Sequence, residues 1–396
     1  MRWLSNVRLP IASPCGHGRG QRWRIGVDEE ERIAAVQPTP AGSAAAGDDW
    51  GGDWISPMGV DLQINGGLGL AFPELTPTDL PRLEELLELL WRDGVEAICP
   101  TLVTCPPAAL RQALDVLAEA RRHHRPGRCL LLGAHLEGPF LEPTRRGAHP
   151  AQHLCAPSLA ALEERIGGFS CGAGLPEEGA TAADIALVTL APELEGAAEV
   201  ITALRQQAVV VSLGHSAATE SQAEEAFAAG VGMLTHAFNA MPDMHRRAPG
   251  PVAAAALRGD VAIGLIADGV HVAPTMAVLL QRLAPRQVVI VSDALAPYGL
   301  GEGAHRWDER LLIVANGSCR LEDGTLAGVT LPLLEGVVRL ARWSGRPERA
   351  IAAATLLPRQ VLGETRPVEQ LLVGMPLGAT LRWSQGPEGL GWRRVG

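Results

Sequence analysis

Eight apolar runs rich in β-branched residues recur along the middle of the chain, and most end on a polar residue able to do chemistry. The runs are Gly59–Ile64, Ala97–Val103, Cys129–His135, Ile185–Leu190, Ala208–Leu213, Gly232–Leu234, Val261–Ile266 and Gln287–Val291. Amphipathic stretches separate most of them. Thr78–Arg92 opens in a Thr-Pro-Thr-Asp segment that can cap a helix. Pro107–Arg122 and Pro192–Gln206 place proline near the first turn, and Ala218–Ala229 runs into Gly230, a C-cap. Strands alternating with helices predict a parallel sheet. A doubly wound open sheet alternates in the same way. The count of eight and the polar ends favour an α/β fold of the (β/α)8 TIM-barrel type. Gln63 and Asn65, Thr101, Glu137, Glu193, His215, His236, Asp268 and His271, and Asp293 stand at or just after the run ends. A barrel gathers such ends at one mouth, whereas an open sheet strings them along an edge.

The two ends of the chain read differently. Residues 1–55 hold short strand-like pieces, Arg22–Val27 and Arg32–Val36, among Gly, Pro and Ala-rich loops. Residues 366–396 hold Gln370–Val373 and Ala379–Trp383. We expect the two segments to pair into a small β-sandwich domain beside a barrel spanning 56–365. Ala41–Trp50 reads as a low-complexity loop. The length of 396 residues suits one barrel with such an addition.

Composition removes several function classes. The formal net charge is -10, against a nucleic-acid binder. All 34 basic residues are arginine. Without lysine there is no Schiff base, no pyridoxal-phosphate anchor, no P-loop lysine and no carbamylated lysine bridging two metals. The seven cysteines are scattered and never spaced as CxxC, which argues against a disulfide framework and fits a reducing cytoplasm. The N-terminus lacks a signal pattern, and no apolar stretch of ~20 residues predicts a membrane span.

Glu137, His215 and His236 stand at the ends of the third, fifth and sixth runs. A carboxylate and two imidazoles are a common zinc set that leaves a position open for water. The histidines are 21 residues apart, about one βα unit, so adjacent strands would carry them. One such histidine alone is more often a hydrogen-bonded structural group, and Glu137 before Gly138-Pro139 could cap a turn. Three together at one mouth point to a metal.

The first run carries Gln63 and Asn65 where barrels of the amidohydrolase superfamily commonly carry His-x-His for one metal. Neutral amides are poor zinc ligands beside imidazole. One divalent ion per subunit, zinc by its ligand set, is therefore expected, with Gln63 and Asn65 holding water or supporting neighbours at a vestigial second site. The segments LEGPFL (136–141), GHSAAT (214–219), THAFNAM (235–241), ADGVHV (267–272), SDALAP (292–297) and GTLAG (324–328) together resemble N-acetylglucosamine-6-phosphate deacetylases. The resemblance runs from about residue 57 to about 365.

That resemblance implies hydrolysis of the acetamide of N-acetylglucosamine 6-phosphate, with Asp293 moving the proton and His149 donating to the carbonyl oxygen. It implies a sugar-phosphate site built from Ala148, Asn239, Ala240, Arg247, His271, Leu326, Ala327 and Gly328. It also implies a homodimer in which the arginine reaches across from the neighbouring subunit, Arg246 being the alternative by one place. Val329 stands where the family often has serine. The plainer readings are that Asp293 caps a helix, that His149 and the arginines are surface groups, and that His271 is packed behind the site. Two other functions share the pattern: another amidohydrolase acting on a different N-acyl or cyclic amide, and a non-catalytic barrel that binds.

Overall fold

Parallel strands buried on both faces need mainly apolar side chains, and the eight runs supply them. In the computed structural model, which describes residues 1–10, 20–40, 47–175, 182–307 and 310–395, they form one barrel. Its strands are β1 (Gly59–Ile64), β2 (Val95–Val103), β3 (Ala134–Glu137), β4 (Ile185–Leu190), β5 (Val210–Leu213), β6 (Met233–Leu234), β7 (Ala262–Ile266) and β8 (Val288–Val291). Each pairs in parallel with the next. The circle closes where Asp293 N–H donates to the Gln63 carbonyl (2.9 Å) and Asn65 N–H to the Ala294 carbonyl (2.7 Å). Every residue of β1, β4 and β8 is buried.

Helices cover the outside, α1 (Leu80–Arg92), α2 (Pro107–Arg122), α3 (Leu159–Ile166), α4 (Ala197–Gln206), α5 (Glu220–Ala228), α6 (Gly250–Arg258), α7 (Pro274–Leu283) and α8 (Leu333–Ser344). Leu83, Leu86, Leu87 and Leu90 bury one face of α1, and Leu110, Leu114 and Leu117 do the same on α2. α2 has the bounds expected from its proline and its apolar spacing. α5 begins at Glu220, two residues later than expected, because Thr219 caps it in a reciprocal pair with Gln222. α4 begins at Ala197, not at Pro192, because Gly196 enters it at φ 85, a left-handed backbone that breaks any earlier turn.

Two corrections concern strands. The third run is interrupted, as Leu130–Leu131 and Ala134–Glu137, so Glu137 ends the strand itself. Gln370–Val373 is not a strand. Val368–Leu371 is a short helix entered from Pro367, and its Val368 and Leu371, with Leu372, bury against the small sheet region. A short apolar run fits either structure, and the proline decides for a helix start.

The flanking segments do come together. Ile33–Pro38, Trp23–Val27, Arg2–Val7 and Asp48–Asp49 form one sheet in that order. Gly389–Arg394, Thr380–Gly386 and Trp54–Pro57 form another. Leu4, Val7, Trp23, Ile25, Ile55 and Leu372 share one apolar cluster between the chain ends. Cys15 and most of the 41–50 loop lie outside the described residues. A further element follows β8, a four-stranded antiparallel meander of Gly303–Trp307, Arg310–Ala315, Ser318–Leu321 and Leu326–Val329. The GTLAG segment ends in its last strand.

Candidate active site and metal centre

The ends of β3, β5 and β6 bring three atoms into a near-equilateral triangle. Glu137 Oε1 lies 3.2 Å from His215 Nε2 and 3.1 Å from His236 Nε2, and the two imidazole nitrogens are 3.0 Å apart. All three residues are buried. His215 Nδ1 donates to the Arg145 carbonyl at 3.0 Å, so the Nε2 lone pair faces the triangle. Three acceptors cannot face one another at this distance unless a proton or a cation sits among them. A tetrahedral ion with bonds of ~2.0–2.2 Å spaces its ligand atoms at roughly this distance. The residues therefore fit a single divalent cation. Burial alone would raise the Glu137 carboxyl, but hydrogen bonds and charge from His215 and His236 outweigh it and hold it well below the usual carboxylate range. Burial opposes protonation of His236 too, yet the Glu137 partner raises it.

His149 stands beside the triangle, and with Glu137 and His215 it also offers ligand atoms within 4.8 Å of one another. Its Nε2 lies 3.8 Å from the other Glu137 oxygen, Oε2. Thr104 meets its Nδ1 through the backbone N–H (3.3 Å) and the hydroxyl (2.9 Å). A nitrogen that accepts from a backbone N–H carries no proton, so the ring presents Nε2–H to the cavity. Burial and the neighbouring His215 push His149 down to about 3, which keeps it neutral.

Asp293 faces the triangle from the end of β8. Asn65 Nδ2 donates to its Oδ1 at 2.8 Å, and Gln63 Nε2 donates to Oδ1 (3.2 Å) and to Glu137 Oε1 (3.0 Å). The amides that replace His-x-His are donors to carboxylates. Their own oxygens, Gln63 Oε1 and Asn65 Oδ1, are buried without a protein partner. Burial and the nearby Glu137 charge push Asp293 up to about 6. The local backbone is strained. His215, His236, Phe238, Ala240 and Asp293 all have positive φ, from 26 to 75. Non-glycine residues hold such angles only where surroundings impose them, and here they cluster at one mouth.

A cavity of about 330 Å3 opens over these groups. Asn65, Glu137, Ala148, His149, His215, His236, Asn239, Ala240, His271, Asp293, Leu326 and Ala327 line it. His271 Nδ1 donates to Asp268 Oδ2 at 2.7 Å. Gln63 sits one layer behind. Arg247 is exposed and does not line its own chain's cavity, and neither does Arg246. Gly328 lies behind the wall, where a Cβ would come within 2.9 Å of the Asp293 carbonyl.

No protein-family model matches the chain. The N-acetylglucosamine-6-phosphate deacetylase of Mus musculus is 35% identical over 346 residues, spanning 85% of this chain and 78% of the relative. The N-acetylgalactosamine-6-phosphate deacetylase of Escherichia coli O157:H7 is 33% identical over 332 residues, spanning 84% and 83%. The chain belongs to the N-acetylglucosamine-6-phosphate deacetylase family. A solved deacetylase of this family from Mycobacterium smegmatis, an aspartate-to-alanine mutant in complex with N-acetyl-D-glucosamine-6-phosphate, shares 27% identity and superposes with a TM-score of 0.74. That match covers 92% of this chain and 91% of the other. A D-hydantoinase of 11% identity shares the fold, with a TM-score of 0.51.

Some deacetylase-site residues were not singled out by sequence reasoning. Thr104, which meets His149, follows the β2 run, in which only Thr101 stood out. Trp307 and Arg145 line the cavity from segments with no metal-like pattern. Trp307 comes from the meander, whose strands are short and broken by glycine.

Proposed function

We propose that this protein hydrolyses the acetamide of N-acetylglucosamine 6-phosphate to glucosamine 6-phosphate and acetate. The observation that carries the reading is a buried carboxylate, Asp293, gripped by two amides and facing the Glu137–His215–His236 triangle. A divalent ion held by that triangle, zinc by preference, would supply an acidified water and charge to offset the oxyanion. His236 is the third ligand, because its Nε2 closes the triangle while His149 presents an N–H.

Asp293 takes a proton from the attacking water and delivers it to the departing amine. A carboxylate raised towards neutrality can do both. His149 Nε2–H donates to the acetamide oxygen as it gains charge. Gln63 and Asn65 fix the Asp293 rotamer. Asn239, Ala240 and His271 receive the sugar phosphate on one wall, and Ala148, Leu326 and Ala327 confine the sugar on the other. Arg247 is exposed and does not line its own cavity, so in a homodimer it would serve the neighbouring one. A cytoplasmic setting accords with the six described cysteines being free thiols. Among the described residues no helix is long and apolar enough to cross a membrane.

The test is acetate release by metal-replete protein from N-acetylglucosamine 6-phosphate, with Asp293→Asn as control. N-acetylgalactosamine 6-phosphate belongs in the same assay, because a relative named for that epimer is nearly as similar. Acetate from the gluco sugar alone or in clear preference supports the proposal. Preference for the galacto sugar would move the substrate, and no acetate from either would sink the reading.

A further inference from the structure

β1 carries an extra residue where it meets β2. Asp61 faces Ile98 and Ile64 faces Pro100, so three steps on one strand oppose two on the other. A bulge of this kind redirects the side chains that leave it, and such bulges gather next to active sites. Here the side chains that leave are Gln63 and Asn65, the two that grip Asp293. The Leu62 carbonyl lies inside the bulge.

His135 reaches that carbonyl from β3, across the intervening strand. Its Nδ1 is 2.9 Å from the Leu62 oxygen, and the residue has no exposed surface. A carbonyl only accepts, so Nδ1 carries the proton. Both ring nitrogens meet uncharged groups, so the buried ring is neutral and Nε2 accepts. Its partner is the Thr189 hydroxyl at 2.7 Å. Thr189 has spent its one proton and must accept from Thr235 at 2.8 Å. Thr235 in turn accepts from Ser212 at 2.6 Å. The direction of every bond follows from the first. The chain crosses from Ser212 on β5 to the Leu62 carbonyl on β1, and Thr235 within it directly precedes His236. Gly214 completes the fit: a Cβ there would lie 2.7 Å from Thr189 and 2.8 Å from Thr235.

We propose that His135 is a positioning residue for the deacetylation. Through the ordered chain from Ser212 to the Leu62 carbonyl it holds the β1 bulge, and with it the grip of Gln63 and Asn65 on Asp293. The proposal rests on Asp293 as the proton-transfer group. His135 does not line the cavity and touches no substrate. Its loss should therefore appear in turnover and not in binding.

Metal-loaded wild type, His135→Phe and His135→Asn are compared. Phenylalanine keeps a ring of similar size and removes both bonds, whereas asparagine keeps an N–H donor near the Nδ1 position. In His135→Phe, kcat should fall about 10–100-fold with KM within about twofold and bound metal unchanged, and asparagine should recover most of the loss. Unchanged kcat in His135→Phe, no recovery with asparagine, or loss of turnover in step with loss of metal would overturn the proposal. If His135→Phe does not fold, Thr189→Val breaks the chain one link away and should lower kcat in the same direction, and an unaltered kcat there counts against it. A second measurement does not depend on turnover. In 15N-histidine-labelled protein, the signal lost in His135→Asn should be a neutral, slowly exchanging Nδ1–H tautomer. An Nε2–H tautomer would contradict the chain even in an active enzyme. Absence of acetate release by wild type would instead count against the deacetylase reading, and the tautomer would still decide the chain.

Discussion

The mouth of the barrel has two halves built from opposite chemistry. On the β3–β6 side, Glu137, His215 and His236 aim three acceptors at one point. On the β1–β8 side, Gln63 and Asn65 aim donors at Asp293. The first half can only be completed by positive charge. The second already satisfies its carboxylate with protein N–H groups. Where a related barrel would put His-x-His and a second ion, this chain puts two neutral amides, and the aspartate is held by their hydrogen bonds.

Breaking the acceptor half should have the largest effect. Glu137→Ala leaves two buried imidazoles without their counter-charge. It should abolish tight metal binding, measured by metal analysis after dialysis, and acetate release with it. Breaking the donor half at Asp293→Asn should reduce kcat by about 10²–10⁴-fold while metal content stays at the wild-type level. Loss of metal in that variant would show that the halves are not separable.

The pH profile sharpens the same distinction. Asp293 must be ionised to accept a proton, and burial beside Glu137 places it at about 6. The rate constant kcat/KM should therefore fall as pH drops through about 6, approaching tenfold per pH unit well below it. A bound cation can only pull this limb lower, so a limb above about 7 would point to a different group. Asn65→Ala removes the 2.8 Å donor from Asp293 and should cost about 10-fold in kcat, with little change in KM.

Much of the barrel was legible because its strands and helices carry local signals. α2 has a proline start and an apolar stripe, β8 is wholly apolar, and β4 is apolar apart from Thr189. Glu137, His215, His236 and Asp293 stood out because polar groups at the ends of such runs have one place to go. The rest depended on distance in space. Gln370–Val373 became helical because Pro367 opens a turn that the apolar run alone does not signal. The meander after β8 was missed because its strands are four to six residues long and partly exposed. His135 looked like one more residue of an apolar run, and its partner Leu62 is 73 residues away. The sequence places the amides at 63 and 65 as water-holding or supporting groups at a vestigial second site, without showing which neighbour they support. Only the geometry shows that they are donors with a task.

Metal content per chain tests the division of the mouth most directly. Protein loaded with excess zinc and passed through a desalting column should retain one ion per chain, lost in Glu137→Ala and kept in Asp293→Asn. Two retained ions per chain would contradict the account, because Gln63 and Asn65 would then be ligands and Asp293 a shared one.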